Sequence, residues 1–218
     1  MNPYSRQTTR LLWLGLALTA TLLVLAFLLA AFKSRAAKAR SLPVYGQVAS
    51  FVLTNQDGQP LASSNLLGKV WVADIIFTRC PGPCLKMTRL MRDLQSALPP
   101  ASQAKLVSLT TDAEYDSPPI LKAYAQRFGA DFNRWMFLTG TPKQIAEVAI
   151  DSLKLTAIPK KTEERESPAD LFVHSTIFVV VDKHGQLRGI FETTGEDVDP
   201  ARVKHDIVAA VRRLEDES

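Results

Sequence analysis

The sequence predicts an α/β fold, a mixed sheet with helices on both faces, preceded by one transmembrane helix. Three observations carry that prediction. From Leu11 to Phe32 the chain runs 22 residues without a charge; at a rise of about 1.5 Å per residue that is ~33 Å, enough for a hydrocarbon core of about 30 Å. Beyond it, apolar runs rich in β-branched residues alternate with segments whose leucines and valines recur at helical spacing. Near the end, two apolar runs are joined by a short turn, so the sheet is mixed rather than wholly parallel.

These observations divide the chain into a short tail (1–10), an apolar anchor (11–32), a basic linker (33–45) and a globular domain (46–218). A secretory signal has a shorter apolar stretch, about 7–15 residues, so the segment reads as retained; Ala37-Lys38-Ala39 keeps cleavage open as an alternative. Arg6, Arg10, Lys33, Arg35, Lys38 and Arg40 give the first 40 residues a charge of +6, leaving 20 basic against 22 acidic residues in the rest. The pI of 9.1 therefore reports the flanks of the anchor, and no nucleic-acid partner is expected. Two basic residues precede the apolar run and four follow it. Counted alone, they place the domain in the cytoplasm. The short tail and the thiol chemistry below favour the opposite side. The expectation is a single-pass protein with its domain outside the cytoplasm, in a bacterial inner membrane facing the periplasm or, as an alternative, in the mitochondrial inner membrane.

Within the domain, residues 48–54 read as a strand ended by the turn "NQDGQP", and 69–77 ("KVWVADIIF") as a strand covered on both faces. Leu85, Leu90, Met91, Leu94 and Leu98 trace a helix that Pro99-Pro100 stops. "KLVSLTT" at 105–111 is another buried strand, and Ser117-Pro118 opens a helix to about Phe128. "RWMFLTG" is a short strand, followed by a helix from Thr141-Pro142 to about Leu153. Residues 156–173 show no periodicity and read as a long loop, of the kind that is functional or mobile. "STIFVVVD" and "LRGIFET" flank the turn "KHGQ", and Asp199-Pro200 opens a last helix with Val203, Ile207, Val208, Val211 and Leu214 on one side. This succession is a thioredoxin-like layout.

The chemistry concentrates in "FTRCPGPCLKM", residues 77–87, which holds the only two cysteines. Cys80 precedes a helix and Cys84 falls near its first turn, so the helix dipole and Arg79 favour thiolate over thiol. A thiolate pair serves two chemistries, disulfide exchange and binding of a soft metal ion. An inert disulfide across so short a loop would stabilise little. Of three histidines, His184 lies in the hairpin turn and His205 on the solvated side of the last helix; His174 directly precedes the buried strand and reads equally as a strand-edge residue or a ligand. Two thiolates and one imidazole suit Cu(I), whereas Zn²⁺ wants a fourth ligand. Met87 and Met91, at helical spacing beside Leu90 and Leu94, read as core rather than thioether donors.

The chain resembles the Sco/SenC proteins, membrane-anchored thioredoxin-like copper chaperones of cytochrome c oxidase assembly. The likeness runs from about Gly46 to Leu214 and rests on "FTRCPGPC", "LFVHSTIFVVVDKHGQL" and "FLTGT". It implies that Cys80, Cys84 and His174 bind copper, as Cu(I) with Cu(II) as a second state. It also implies delivery to the copper-site subunit of the oxidase, with an upstream copper donor or thiol reductant as further partner. The alternative function is a thiol–disulfide oxidoreductase in which Cys80 and Cys84 are the catalytic pair, keeping the client's cysteines reduced. Leu85 stands where the family usually has proline, and Val173 where an acidic residue often precedes the histidine. Asp74, Asp112 and Asp116 are expected as structural or outer-shell groups.

Overall fold

The computed structural model describes residues 13–14, 16–29, 41–80, 82–165 and 171–217. The chain divides into two units, Met1–Ser41 and Leu42–Ser218. In the first, residues 16–29 form a helix (α1) whose side chains are exposed. Among the described residues no helix is long and apolar enough to cross a membrane; the expected anchor, 11–32, lies partly outside the described residues.

The second unit is built on an eight-stranded mixed sheet, in the order β1-β10-β9-β4-β5-β6-β2-β3. At its centre β4 (Trp71–Ile76) pairs in parallel with β5 (Lys105–Thr110), and β5 with β6 (Trp135–Thr139). β9 (Ile177–Val181) runs antiparallel to β4 on its other side, and β10 (Gln186–Glu192) completes the late hairpin. The edges are β1 (Gly46–Gln47) beside β10 and the hairpin of β2 (Val52–Asn55) with β3 (Pro60–Ala62) beside β6.

All six residues of β4 are buried, as a strand covered on both faces requires. Alternation along it separates two cores. Val72 and Ile76 face α2 (Pro83–Ala97), α3 (Pro118–Arg127) and α5 (Pro200–Asp216) through Met87, Met91, Leu94, Leu121 and Val211. Trp71, Ala73 and Ile75 face the other way, onto Leu53, Leu66, Ile145, Val148 and Leu153. Both cores draw all their residues from Leu42 onward, so this unit closes its own hydrophobic interior. The thioredoxin-like layout with helices on both faces is therefore observed, and Met87 and Met91 are core.

Local chemistry explains the helix boundaries. Pro83 occupies the first turn of α2, where the missing amide costs nothing, and the helix closes at Leu98 before Pro99. Thr141 and Gln144 form a reciprocal capping box at the start of α4 (Pro142–Ala146), and Asp199 caps α5 through the Ala201 amide.

Two expectations need correction. The helix from 142 does not stay α-helical to 153. Residues Glu147–Ser152 widen into a π-helical turn, closed by the Leu153 amide on the Val148 carbonyl and that of Leu155 on Ala149, with Lys154 at φ 60°. The aperiodic segment 156–173 is not structureless either. β7 (Ala157–Pro159) and β8 (Phe172–His174) pair antiparallel as a separate two-stranded ribbon. Periodicity cannot announce strands of three residues, and here cross-strand pairing rather than local pattern makes them.

Candidate metal centre

The cysteine loop leaves the carboxyl end of β4, and Cys84 is the second residue of α2. Both cysteines are buried, Cys80 at 7% exposure and Cys84 at 0%. The Cys80 amide donates to the Phe77 carbonyl at 3.2 Å, and the Leu85 amide to Gly82 at 3.1 Å, so the loop turns tightly into the helix. The Cys84 carbonyl accepts from the Thr88 hydroxyl at 2.8 Å, which in turn meets the Tyr124 hydroxyl at 2.8 Å.

The helix start does not by itself ionise Cys84. Its hydrogen bond with the Cys80 side chain and its burial push the Cys84 thiol far up from the ordinary thiol range, with Asp74 adding a smaller push the same way. Arg79 does not offset this, because its guanidinium is turned to Asp112, with Nη2 at 2.5 Å, and stacks over the Tyr115 ring at 4.0 Å. The expected drift toward thiolate is thus overturned at Cys84, first by its hydrogen bond with the Cys80 side chain and then by burial. A bound cation would reverse it, since metal coordination and deprotonation are one event.

The three carboxylates differ in role. Asp74 is wholly buried in β4, on the strand face shared by Val72 and Ile76, and its charge bears on Cys84 and Tyr124. Asp116 is wholly buried as well and accepts from the Thr78 amide at 3.0 Å, from the Thr78 hydroxyl, and from the Thr110 hydroxyl at 2.5 Å. Burial pushes its carboxyl up from the usual carboxylate range, against those hydrogen bonds. Asp112 takes both Arg79 contacts.

His174 closes β8, opposite Ala157 in the ribbon. The base of the ribbon is tied where the Ser175 amide donates to the Thr156 carbonyl at 2.9 Å. Strand alternation puts position 174 on the same ribbon face as Phe172. The Phe172 ring meets that of Phe77 edge-on, with centroids 5.3 Å apart, at the root of the cysteine loop. β9 begins three residues after His174, at the end of the sheet where β4 gives way to that loop. The topology therefore brings positions 80, 84 and 174 to one end of the sheet. His184 is exposed in its turn and the His205 side chain is 82% exposed. Among the described side chains no group of three His, Cys, Asp or Glu is arranged to hold a metal ion; the side chain of His174 lies outside that set.

Beside the ribbon a cavity of about 440 Å³ opens between the post-β5 loop (Asp112, Glu114), α4 (Ile145) and the ribbon residues Pro159 and Phe172. Sequence reasoning missed Thr78, Thr110 and Phe172. An aromatic two residues before the histidine was the available signal for Phe172, whereas Thr78 and Thr110 are brought to Asp116 only by the fold.

The SCO1/SenC family model matches residues 43–212. The chain belongs to the SCO1/SenC family. The SCO1 protein homolog of Bacillus subtilis is 35% identical over 162 residues, covering 72% of this chain and 81% of that protein. A Stutzerimonas stutzeri protein described as copper-binding is 31% identical over 150 residues, covering 68% of this chain and 70% of its own. Among solved structures, that of BsSco superposes with a TM-score of 0.64 at 27% identity, covering 82% of this chain and all of the other. BsSco is described as a member of the Sco family of cytochrome c oxidase assembly proteins that carries a disulfide switch. The SCO1/SenC membership accounts for the thioredoxin-like sheet.

Proposed function

We propose that this SCO1/SenC protein is a membrane-anchored copper chaperone. Cu(I) is held by the thiolates of Cys80 and Cys84 and the imidazole of His174, and passes by ligand exchange to the copper-site subunit of cytochrome c oxidase. The observation that supports the reading is the Phe172–Phe77 contact, which sets the ribbon bearing position 174 against the root of the loop that carries the two buried cysteines. The two buried thiols are soft donors in a dry setting, which favours a monovalent d¹⁰ ion over Mg²⁺ or Ca²⁺. Copper is the cargo, and the copper-binding and oxidase-assembly descriptions of the relatives point the same way. Residues 11–32 span the membrane behind the short tail 1–10, the basic linker 33–45 follows, and the domain 46–218 works outside the cytoplasm.

The test is a Cu(I) competition titration with the reduced protein. His174→Ala, which removes a ligand outright, is expected to lose at least the roughly 10- to 100-fold that loss of a ligand's outer partner costs, and Cys80→Ser and Cys84→Ser to lose more. An unchanged affinity in His174→Ala would sink the trigonal site. Carbonate extraction of membranes tests the anchor separately, through the release or retention of the full chain.

The second reading, a thiol–disulfide oxidoreductase acting through Cys80 and Cys84, is favoured by one observation, the disulfide switch described for BsSco. It requires turnover of a disulfide substrate by the metal-free protein that persists in His174→Ala.

A further inference from the structure

Asp116 is thirty-six residues from Cys80 in sequence, yet the residue that leads into the cysteine loop ends on it. Thr78 gives Asp116 two donors, its amide at 3.0 Å and its hydroxyl, while Thr110 at the end of β5 donates at 2.5 Å. The Thr110 hydroxyl also accepts the Asp112 amide at 3.0 Å, and the Asp116 amide donates to the Asp112 carbonyl at 2.8 Å. The carboxylate thus sits inside a closed loop of hydrogen bonds joining the two parallel strands β4 and β5 just where both end. It is wholly buried, so each donor would be costly to leave unpaired. The neighbouring Arg79–Asp112 pair holds the next residue from outside, but the Arg79 side chain is 42% exposed and its grip is screened.

We propose that Asp116 is a positioning residue for copper. By fixing both hydrogen-bond donors of Thr78 it sets the direction in which the chain enters Cys80, and so the spacing of the two sulfurs that a trigonal ion needs. This rests on the copper reading above, and it acts through Thr78 rather than by touching the metal. Thr78→Val keeps the amide bond and removes the hydroxyl, Thr78→Ser keeps both, and Asp116→Asn keeps the shape while replacing one acceptor with a donor.

The experiment is Cu(I) competition titration and the dithiol–disulfide equilibrium against glutathione, measured on these three variants. Glu215→Gln serves as control, because Glu215 caps the amides of Gln103 and Ala104 far from the cysteine loop. Asp116→Asn and Thr78→Val are expected to lose about 10-fold or more in copper affinity, as loss of an outer partner does. In the metal-free protein the same variants should shift the cysteine pair about tenfold toward disulfide, near 30 mV for a two-electron couple. Thr78→Ser should match the unmodified protein, and Glu215→Gln should lose melting temperature without moving either readout. Variants that bind copper and equilibrate with glutathione like the unmodified chain, or a Glu215→Gln that shifts as much, overturn the assignment. Loss of copper binding in the unmodified protein would sink the copper reading instead, and the glutathione equilibrium would still decide whether Asp116 positions the pair.

Discussion

Phe172 is the point at which the ribbon can be separated from the rest of the molecule. Its ring is partly buried and meets Phe77 edge-on at 5.3 Å and 62°. Truncating a fully buried phenylalanine to alanine costs about 3–5 kcal/mol. At partial burial about 2 kcal/mol is reasonable, of which the aromatic pair supplies roughly 0.5–1.5. The ribbon pairs only with itself and lies outside the eight-stranded sheet, so the loss falls on ribbon docking rather than on unfolding. A ligand carried on the ribbon reaches the cysteines only in the docked fraction, and about 2 kcal/mol lowers that fraction by up to roughly 30-fold. Phe172→Ala should therefore weaken Cu(I) binding by up to about 30-fold, with Phe172→Leu in between. If the same 2 kcal/mol were lost globally, the melting temperature would drop by about 4–8 °C; a much smaller drop is expected here. Unchanged copper affinity in Phe172→Ala, or a full global loss of stability, would refute the idea that this contact seats the ribbon.

Three further outcomes follow from other parts of the molecule. Arg188 is buried against Asp182 at 2.6 Å and Glu217 at 2.9 Å and also donates to the carbonyls of Leu42 and Pro43; Arg188→Leu strands two carboxylates and should cost about 3–5 kcal/mol, read as a thermal melt some 6–20 °C lower with copper affinity retained. Lys154 holds a left-handed conformation, φ 60°, at a helix exit where glycine is at ease; Lys154→Gly should gain roughly 0.5 kcal/mol after the added chain entropy, seen in denaturant titration. The Cys84 thiol is pushed up in the metal-free protein, so its proton competes with copper. Apparent Cu(I) affinity should climb by up to about tenfold per pH unit between roughly pH 6 and 8, and a flat profile would remove Cys84 from the ligand set.

The sheet was legible because its central strands are long and uniformly apolar. "KVWVADIIF" and "STIFVVVD" could only be strands covered on both faces, and the prolines at 83, 118, 142 and 200 each announce a helix start that the structure contains. The cysteine loop was legible for the same reason, as a strand end running into a helix that opens on a proline. The ribbon was not, because three-residue strands leave no periodic trace and are stabilised by each other. Nor was the acidity of Cys84. A sequence shows a sulfur near a helix start and an adjacent arginine, but the hydrogen bond with the Cys80 side chain and burial to 0% are tertiary facts that push the Cys84 thiol up, and Arg79 is turned away to Asp112. Asp116 carried no local signal of its role, since both its donors from Thr78 come from the exit of the neighbouring strand, 38 residues away in sequence.

That reversal bears on which of the two thiol chemistries this pair is built for. A cysteine that attacks a substrate disulfide must be ionised near neutral pH and open to a bulky partner. Cys84 is closed off at 0% exposure and its thiol is pushed up, while Cys80 shows 7% of its surface. A metal ion makes the opposite demands. It enters as a single atom, it is favoured by a dry soft cage, and its own charge supplies what burial withholds from the thiolates. Copper loading therefore gains from the burial that would slow a thiol catalyst. A disulfide between the same sulfurs would close the cage and exclude the ion, so oxidation is better suited to switching the site off than to serving as its reaction. Copper titration of the protein after stoichiometric oxidation by oxidised glutathione should then give no high-affinity binding, with full recovery on reduction. Tight Cu(I) binding to the oxidised form would show that the sulfurs are dispensable, and the coordination reading would fail with it.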